Sequence, residues 1–235
     1  MPNASKQYLP RRAGTFKSRL ENAFRSLAYR LWKRPLEDLA ELQSEPLRIA
    51  DVGCGPGFLL ESIHRWFPDS LLTGIDASAE LLICLRGRCP HAQALVGDAQ
   101  NIPLAAGSTD VLFGLHVVEH LEAPEKFFKE ARRVLRPGGL LIIATPNPGG
   151  LGARWMGERW KGLSDPTHIA LHDGRFWRNL ALSSGFTVRK DGTTGLSGIP
   201  ALDRFPLGLA MRIPLLLFGF FPWTLGEAYM SVSVN

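Results

Sequence analysis

The chain has 235 residues, 45% of them apolar and 21% charged, a balance that excludes global disorder and suits one large domain, or one domain with an extension. A chain this long buries about 70% of its unfolded surface and needs no metal or disulfide staple. The net charge of +5 is uneven: residues 1–34 hold nine Lys/Arg against Glu21, so the remainder carries about −3.

The N-terminal 45 residues read as a basic amphipathic arm, ahead of one domain over 46–235. Phe16, Leu20, Ala23, Phe24, Leu27 and Leu31 fall on one helical stripe, flanked by Lys17, Arg19, Arg25, Arg30 and Lys33. No signal-peptide-like apolar run opens the chain, and no uninterrupted apolar run reaches 18 residues. Cys54, Cys84 and Cys89 are too few and too irregular for a disulfide framework or a cysteine-rich zinc site. A reducing, cytoplasmic setting is expected.

From Leu47 short apolar runs alternate with helical patterns. Strands are expected at 47–53, 71–76, 92–98, 110–117, 140–145, 186–192 and 229–234. Helices are expected at 58–67, 79–88, 123–135 and 173–185, the third stopped by Arg136-Pro137-Gly138-Gly139. Such alternation argues for a doubly wound, mostly parallel α/β sheet. Its strands are apolar throughout, as burial on both faces requires. An apolar insertion, 196–227, precedes the last strand; from Phe205 to Leu225 its only charge is Arg212.

The sharpest motif is Asp51-Val52-Gly53-Cys54-Gly55-Pro56-Gly57, which ends a buried strand and opens a helix. Glycines let a ligand approach the backbone, and the helix start offers free N–H groups. Asp76 closes the next strand, 19 residues after Gly57, a spacing that suits a carboxylate accepting from ribose hydroxyls. Gly97-Asp98-Ala99 closes the third. The GxGxG spacing departs from the GxGxxG of dinucleotide binders.

As a set, DVGCGPG, GID at 74–76, GDA at 97–99 and RPGG at 136–139 resemble the class I S-adenosylmethionine-dependent methyltransferases, over roughly residues 47–150. The resemblance implies a seven-stranded Rossmann-like sheet with an antiparallel last strand, and S-adenosylmethionine as cofactor. It implies that Gly53, Cys54, Gly55 and Gly57 face the methionine and ribose. Asp51 would lie by the methionine amino end, and Asp76, with Ala77 beside it, would hold the ribose diol. Asp98 and Ala99 would meet the adenine, and Leu115 would lie beside the cofactor.

His116-Val117-Val118-Glu119-His120 follows the fourth strand. In a first helical turn, positions 116, 119 and 120 would share a face able to bind a divalent metal. The stretch also resembles the ubiquinone-biosynthesis O-methyltransferases, whose E-x-x-E-H run here binds magnesium. Glu119 and His120 match, but His116 stands in place of an acid, and imidazole suits softer metals. No metal is therefore expected, with Glu119 and His120 the weak candidates. A second polar cluster runs from Thr145-Pro146-Asn147-Pro148, through Trp155 and Trp160, to Asp165-Pro166-Thr167-His168 and His172. It resembles a D-P-x-H run that walls the acceptor site in small-molecule methyltransferases. An oxygen acceptor of high pKa needs a general base, for which His168, His120 and His116 are the ranked candidates.

HVVEHL occupies the place where nucleobase amino-methylating enzymes carry N/D-P-P-Y/F, so a nucleic-acid acceptor is disfavoured. A basic amphipathic helix reads as a membrane-surface element, and the apolar 205–225 segment supports that reading. The expectation is transfer of a methyl group to a small, hydrophobic or lipid-like acceptor, oxygen preferred, by an enzyme peripheral to the inner membrane face through 15–34 and 205–225. Two other readings remain: an RNA or protein methyltransferase using the basic arm, and a non-catalytic cofactor-binding partner subunit.

Overall fold

The computed structural model describes residues 29–194 and 222–235. Most of the basic arm, and the apolar segment through residue 221, lie outside the described residues. The described chain begins with a 3-10 turn at Arg30–Trp32 and then runs α1 (Lys33–Ala40), β1 (Arg48–Val52), α2 (Phe58–Trp66), β2 (Leu71–Asp76), α3 (Ala79–Arg88), β3 (Gln93–Val96) and β4 (Thr109–Leu115). It continues through α4 (Pro124–Val134), β5 (Leu135–Pro146), α5 (Leu151–Met156), α6 (Lys161–Ser164), α7 (Gly174–Ser183), β6 (Thr187–Thr194) and β7 (Ala228–Val234). Local signals account for the helix starts: Ser78 accepts the Leu81 N–H ahead of α3, Asp173 accepts the Phe176 N–H ahead of α7, and Pro124 opens α4.

The seven strands form one sheet in the order β3-β2-β1-β4-β5-β7-β6. Only β7 is reversed, pairing antiparallel with both β5 and β6. The expected fold class and the antiparallel last strand are therefore both present. Both faces of the sheet are covered. Val111 and Phe113 of β4, with Leu140 and Ile142 of β5, point to the side packed by α1, α2 and α3. The intervening Leu112, Leu141 and Ile143 point to the side packed by α4 and α7, where Phe127, Phe128 and Trp177 are fully buried.

Two local readings change. The RPGG stretch does not merely stop α4: Leu135 already pairs with Thr109, and Leu135–Pro146 is a single strand with a register shift. Gly138 and Gly139 exchange backbone hydrogen bonds with Asn235, and the Asn235 side chain donates to the Leu135 and Arg136 carbonyls. In addition, residues 30–40 are more than a tether for the arm. Trp32, Leu36 and Leu39 are buried in the core, with the Trp32 ring edge-on to Phe113 at 6.4 Å between centroids. Burying an aromatic ring and two leucines is worth on the order of 5 kcal/mol before entropic costs.

The strand order reverses between β1 and β4. The chain leaves β1 toward β2 and β3, then returns to β4 on the other side. Ligands of open α/β sheets bind outside the carboxyl ends of the strands at such a switch point. Both the glycine motif and the histidine-rich stretch lie there.

Candidate active site

The cofactor side is built from the ends of β1 and β2. After Val52 the backbone turns through Gly53 and Gly55, both left-handed, with φ of +69° and +52°. A Cβ on Gly53 would strike the Val117 side chain, so the turn lies directly against the segment that follows β4. A Cβ on Gly55 would meet nothing within 4 Å, which leaves open space over the backbone. The loop is tied to β2: Gly53 and Cys54 donate their N–H groups to the Ile75 carbonyl, at 2.7 and 3.1 Å. Asp76 completes the tie, accepting the Gly55 N–H at 2.8 Å through Oδ2 and the Ser78 N–H at 2.8 Å through Oδ1. Each oxygen keeps a lone pair for a further donor.

Asp51 is buried at the end of β1. Burial first, and then the charge of Asp76, push its carboxyl well above the usual carboxylate range. Burial also raises the Cys54 thiol strongly, so Cys54 lines the loop as an un-ionised group. Two carboxylates beside an open glycine turn suit a ligand with a diol and a positive charge. S-Adenosylmethionine, with its ribose, sulfonium and ammonium groups, fits them. Ala77 and Asp98 are exposed, and Ala99 and Leu115 are half-buried. The Asp98 carboxylate accepts the Gln100 N–H at 2.8 Å, and the Gly97 N–H reaches the Asp76 carbonyl, which sets the end of β3 beside that of β2.

The segment after β4 begins with His116, whose backbone is left-handed (φ +57°) although it is not glycine. Such a conformation at a β-branch-free but bulky residue is uncommon and clusters at functional sites. The chain then makes a 3-10 turn at Val118–His120 instead of starting an α-helix. The expected face of positions 116, 119 and 120 is therefore not formed as one ligand set. His116 Nδ1 instead lies 3.2 Å from Oε1 of the fully buried Glu119. Burial pushes the Glu119 carboxyl up, but the hydrogen bond and charge of His116 outweigh this and hold it below the usual range. The second oxygen, Oε2, is buried with no hydrogen-bond partner among the described residues.

The loop carrying Asp165-Pro166-Thr167-His168 closes over this turn. Asp165 Oδ1 accepts from the Thr167 N–H at 3.0 Å and its hydroxyl at 2.6 Å, and these bonds lower its pKa. The Thr167 carbonyl so fixed accepts Nδ1–H of His120 at 3.0 Å. The Ala170 N–H donates to the Glu119 carbonyl at 2.9 Å. His168 donates Nδ1–H to the Gly162 carbonyl at 2.6 Å, and its ring lies 4.9 Å from that of His120. Carbonyls only accept, so both histidines donate through Nδ1, which leaves Nε2 as the other ring nitrogen; that of His168 lies 4.0 Å from Asp165 Oδ2. The structure thus brings His120 and His168 together with Glu119, and leaves His116, more than half exposed, as the partner of Glu119.

Two contributors escaped the sequence reading. Val117 fills the space that Gly53 leaves. Asn147, expected only as part of a polar cluster, is buried and donates both Nδ2 hydrogens, to the Trp223 and Gly226 carbonyls at 2.7 and 2.9 Å. It thereby fixes the chain where the apolar insertion returns to the sheet. No sequence signal marks these bonds, because their acceptors are backbone atoms 76 and 79 residues away.

Residues 50–143 match a methyltransferase domain family. Over these residues the chain resembles the methyltransferase domain of S-adenosylmethionine-dependent enzymes. It is 32% identical over 137 residues to a malonyl-acyl-carrier-protein O-methyltransferase of Hahella chejuensis, covering 57% of this chain and 48% of that protein. It is 30% identical over 172 residues to the corresponding enzyme of Methylococcus capsulatus, covering 71% and 62%. A trans-aconitate 2-methyltransferase of Rhodopseudomonas palustris is 30% identical over 151 residues, covering 62% and 53%. The chain spans only about half to three fifths of the length of these relatives. An S-adenosylmethionine-dependent methyltransferase from Archaeoglobus fulgidus shares the fold with a TM-score of 0.60 at 19% identity, covering 94% of this chain and all of that one. A cyclase shares it with a TM-score of 0.59 at 18% identity, over 86% and 81%. No helix among the described residues is long and apolar enough to cross a membrane.

Proposed function

We propose that the protein transfers a methyl group from S-adenosylmethionine to a hydroxyl or other oxygen nucleophile on a small, apolar or lipid-like acceptor. Glu119, His120 and His168, gathered beside the glycine turn, carry this reading, because both histidines hold their basic Nε2 in reserve. The bound cofactor supplies an electrophilic sulfonium methyl and leaves as a neutral thioether. Gly55 gives the cofactor backbone room, Gly53 lets the turn lie against Val117 beside it, Asp76 accepts from the ribose, and Asp51 faces the positive end. Asp98 and Ala99 lie where the adenine is expected. His168 Nε2 receives the acceptor hydroxyl proton as the oxygen–carbon bond forms, and His120 is the second base. His116 takes a positioning role through Glu119. Much of the remaining rate comes from aligning the nucleophile and excluding water.

The malonyl-acyl-carrier-protein O-methyltransferases among the relatives support an oxygen acceptor. The basic stripe of residues 15–34 and the apolar run of 205–225 support peripheral attachment to an anionic membrane face and a lipid-like acceptor. The test is incubation of the full chain with methyl-labelled S-adenosylmethionine and whole-cell extract, followed by phase separation. Label in the organic phase is expected. Label confined to the aqueous or macromolecular fraction sinks the lipid reading. No label in any fraction favours a non-catalytic partner subunit, for which the shared fold of the cyclase is a reminder that this scaffold hosts other chemistry.

A further inference from the structure

We infer that Glu119, His120 and His168 form a site for one divalent cation of the zinc class. One donor atom from each lies within 4.8 Å of the other two. Around a tetrahedral zinc, ligands bonded at about 2.0–2.1 Å stand about 3.4 Å apart. Side-chain shifts on the order of 1 Å would therefore close the set.

Three further observations point to a ligand. Glu119 Oε2 is buried, without a hydrogen-bond partner among the described residues. An uncompensated buried oxygen of this kind costs about 1–3 kcal/mol or more, a cost that a cation removes. Both imidazoles donate Nδ1–H to main-chain carbonyls, of Thr167 and Gly162, which leaves Nε2 as the ligand atom. Carbonyl-oriented imidazole is the usual outer support of a metal-binding histidine. His116 in turn grips the other Glu119 oxygen and fixes the direction of Oε2.

The donor set is two nitrogens and one oxygen, which suits zinc or another borderline divalent ion and not magnesium, a taker of oxygen ligands. It differs from the face 116-119-120 suggested by the sequence, because the third ligand comes from a separate loop after β5. Three protein ligands leave at least one coordination position for solvent or an acceptor oxygen. In the metal-loaded protein the ion, and not a histidine, would lower the pKa of a bound hydroxyl, and the proton would leave to solvent.

The inference does not depend on methyl transfer, and binding of the cofactor is measured separately. Tag-free full chain, stripped with a chelator, is titrated with zinc chloride and cobalt chloride by calorimetry and by visible absorption of the cobalt form. One equivalent of zinc is expected, weakened at least tenfold in Glu119→Gln, His120→Ala and His168→Gln and unchanged in His64→Ala. Circular dichroism checks each fold. His168 is partly exposed, so His168→Gln keeps the test open if Glu119→Gln does not fold. Absence of stoichiometric zinc, equal affinity in wild type and His168→Gln, or displacement of zinc by equimolar magnesium would each overturn the site. Unchanged S-adenosylmethionine affinity in the stripped protein would show that such a failure leaves the methyltransferase reading intact.

Discussion

The Asp76 carboxylate accepts the Gly55 N–H at 2.8 Å, so the acid that closes β2 also shapes the glycine turn that follows β1. On the proposed cofactor pose, removing it does two things at once: it deletes the acceptor for the ribose and releases the loop. Asp76→Ala is expected to weaken S-adenosylmethionine binding by ten- to hundredfold, about 1.4–2.8 kcal/mol. Asp76→Asn, which keeps one acceptor oxygen, should lose less. Calorimetric titration checks both, and unchanged affinity in Asp76→Ala would remove the assigned cofactor pose.

Asp51 should trade stability for binding. Its folded-state pKa is raised by burial and then by Asp76. Between the unfolded value, about 3.9, and that raised value, the folded protein keeps a proton that the unfolded chain gives up, so this residue's contribution to stability falls as pH rises. Asp51→Asn removes the penalty. At neutral pH the variant without cofactor should melt a few degrees higher, about 1 kcal/mol, while its cofactor affinity drops about tenfold. Scanning calorimetry with and without S-adenosylmethionine reads both signs in one experiment.

Asp110 has the opposite pH signature. It is buried, and its carboxylate meets Arg48 at 2.9 Å and Arg136 at 2.6 Å, with the Arg48 backbone N–H at 2.7 Å. Burial raises its pKa, but these bonds prevail and lower it. The stability it contributes is present above the unfolded value, about 3.9, and is lost as pH falls through the depressed folded value. Asp110→Ala removes the buried acceptor of two part-exposed guanidinium groups and should cost about 1–2 kcal/mol at pH 7. In acid, urea titrations of wild type and variant should converge.

The arm is testable without damage to the core. Trp32 is buried against the sheet, so a cut beyond residue 28 would remove core packing as well as charge. Deletion of residues 1–28 is expected to weaken binding to anionic liposomes severalfold or more and to leave cofactor affinity unchanged. Retained liposome binding would acquit the arm as anchor.

His168→Ala is expected to cut methyl transfer 10²–10⁴-fold with little effect on cofactor affinity. His116→Ala, acting through Glu119, should cost less and alter the pH profile. Equal losses in both variants would count against the ranking of the two histidines.

Most of the sheet was legible because its signals are local. Apolar runs at 48–52 and 71–76, Gly53 after the first of them and Pro124 at a helix start specify elements without reference to the rest of the chain. What was not legible depends on distant partners. The RPGG stretch extends β5 because Thr109 and Asn235 reach it. The cofactor loop could be recognised from four spaced motifs. The grouping of His120 with His168 could not, since it rests on hydrogen bonds from each ring to a different main-chain carbonyl. A helical wheel also misplaced His116, whose left-handed backbone breaks the periodicity at that residue.

Gly53 and Val117 occupy each other's missing volume, so the cofactor turn and the turn bearing Glu119 and His120 share one van der Waals wall. A displacement of either must be felt by the other, since interiors packed this closely transmit strain. On the proposed assignment of the two sides, their occupancy is thermodynamically linked. Whatever factor the cofactor imposes on acceptor affinity, the acceptor must return to the cofactor.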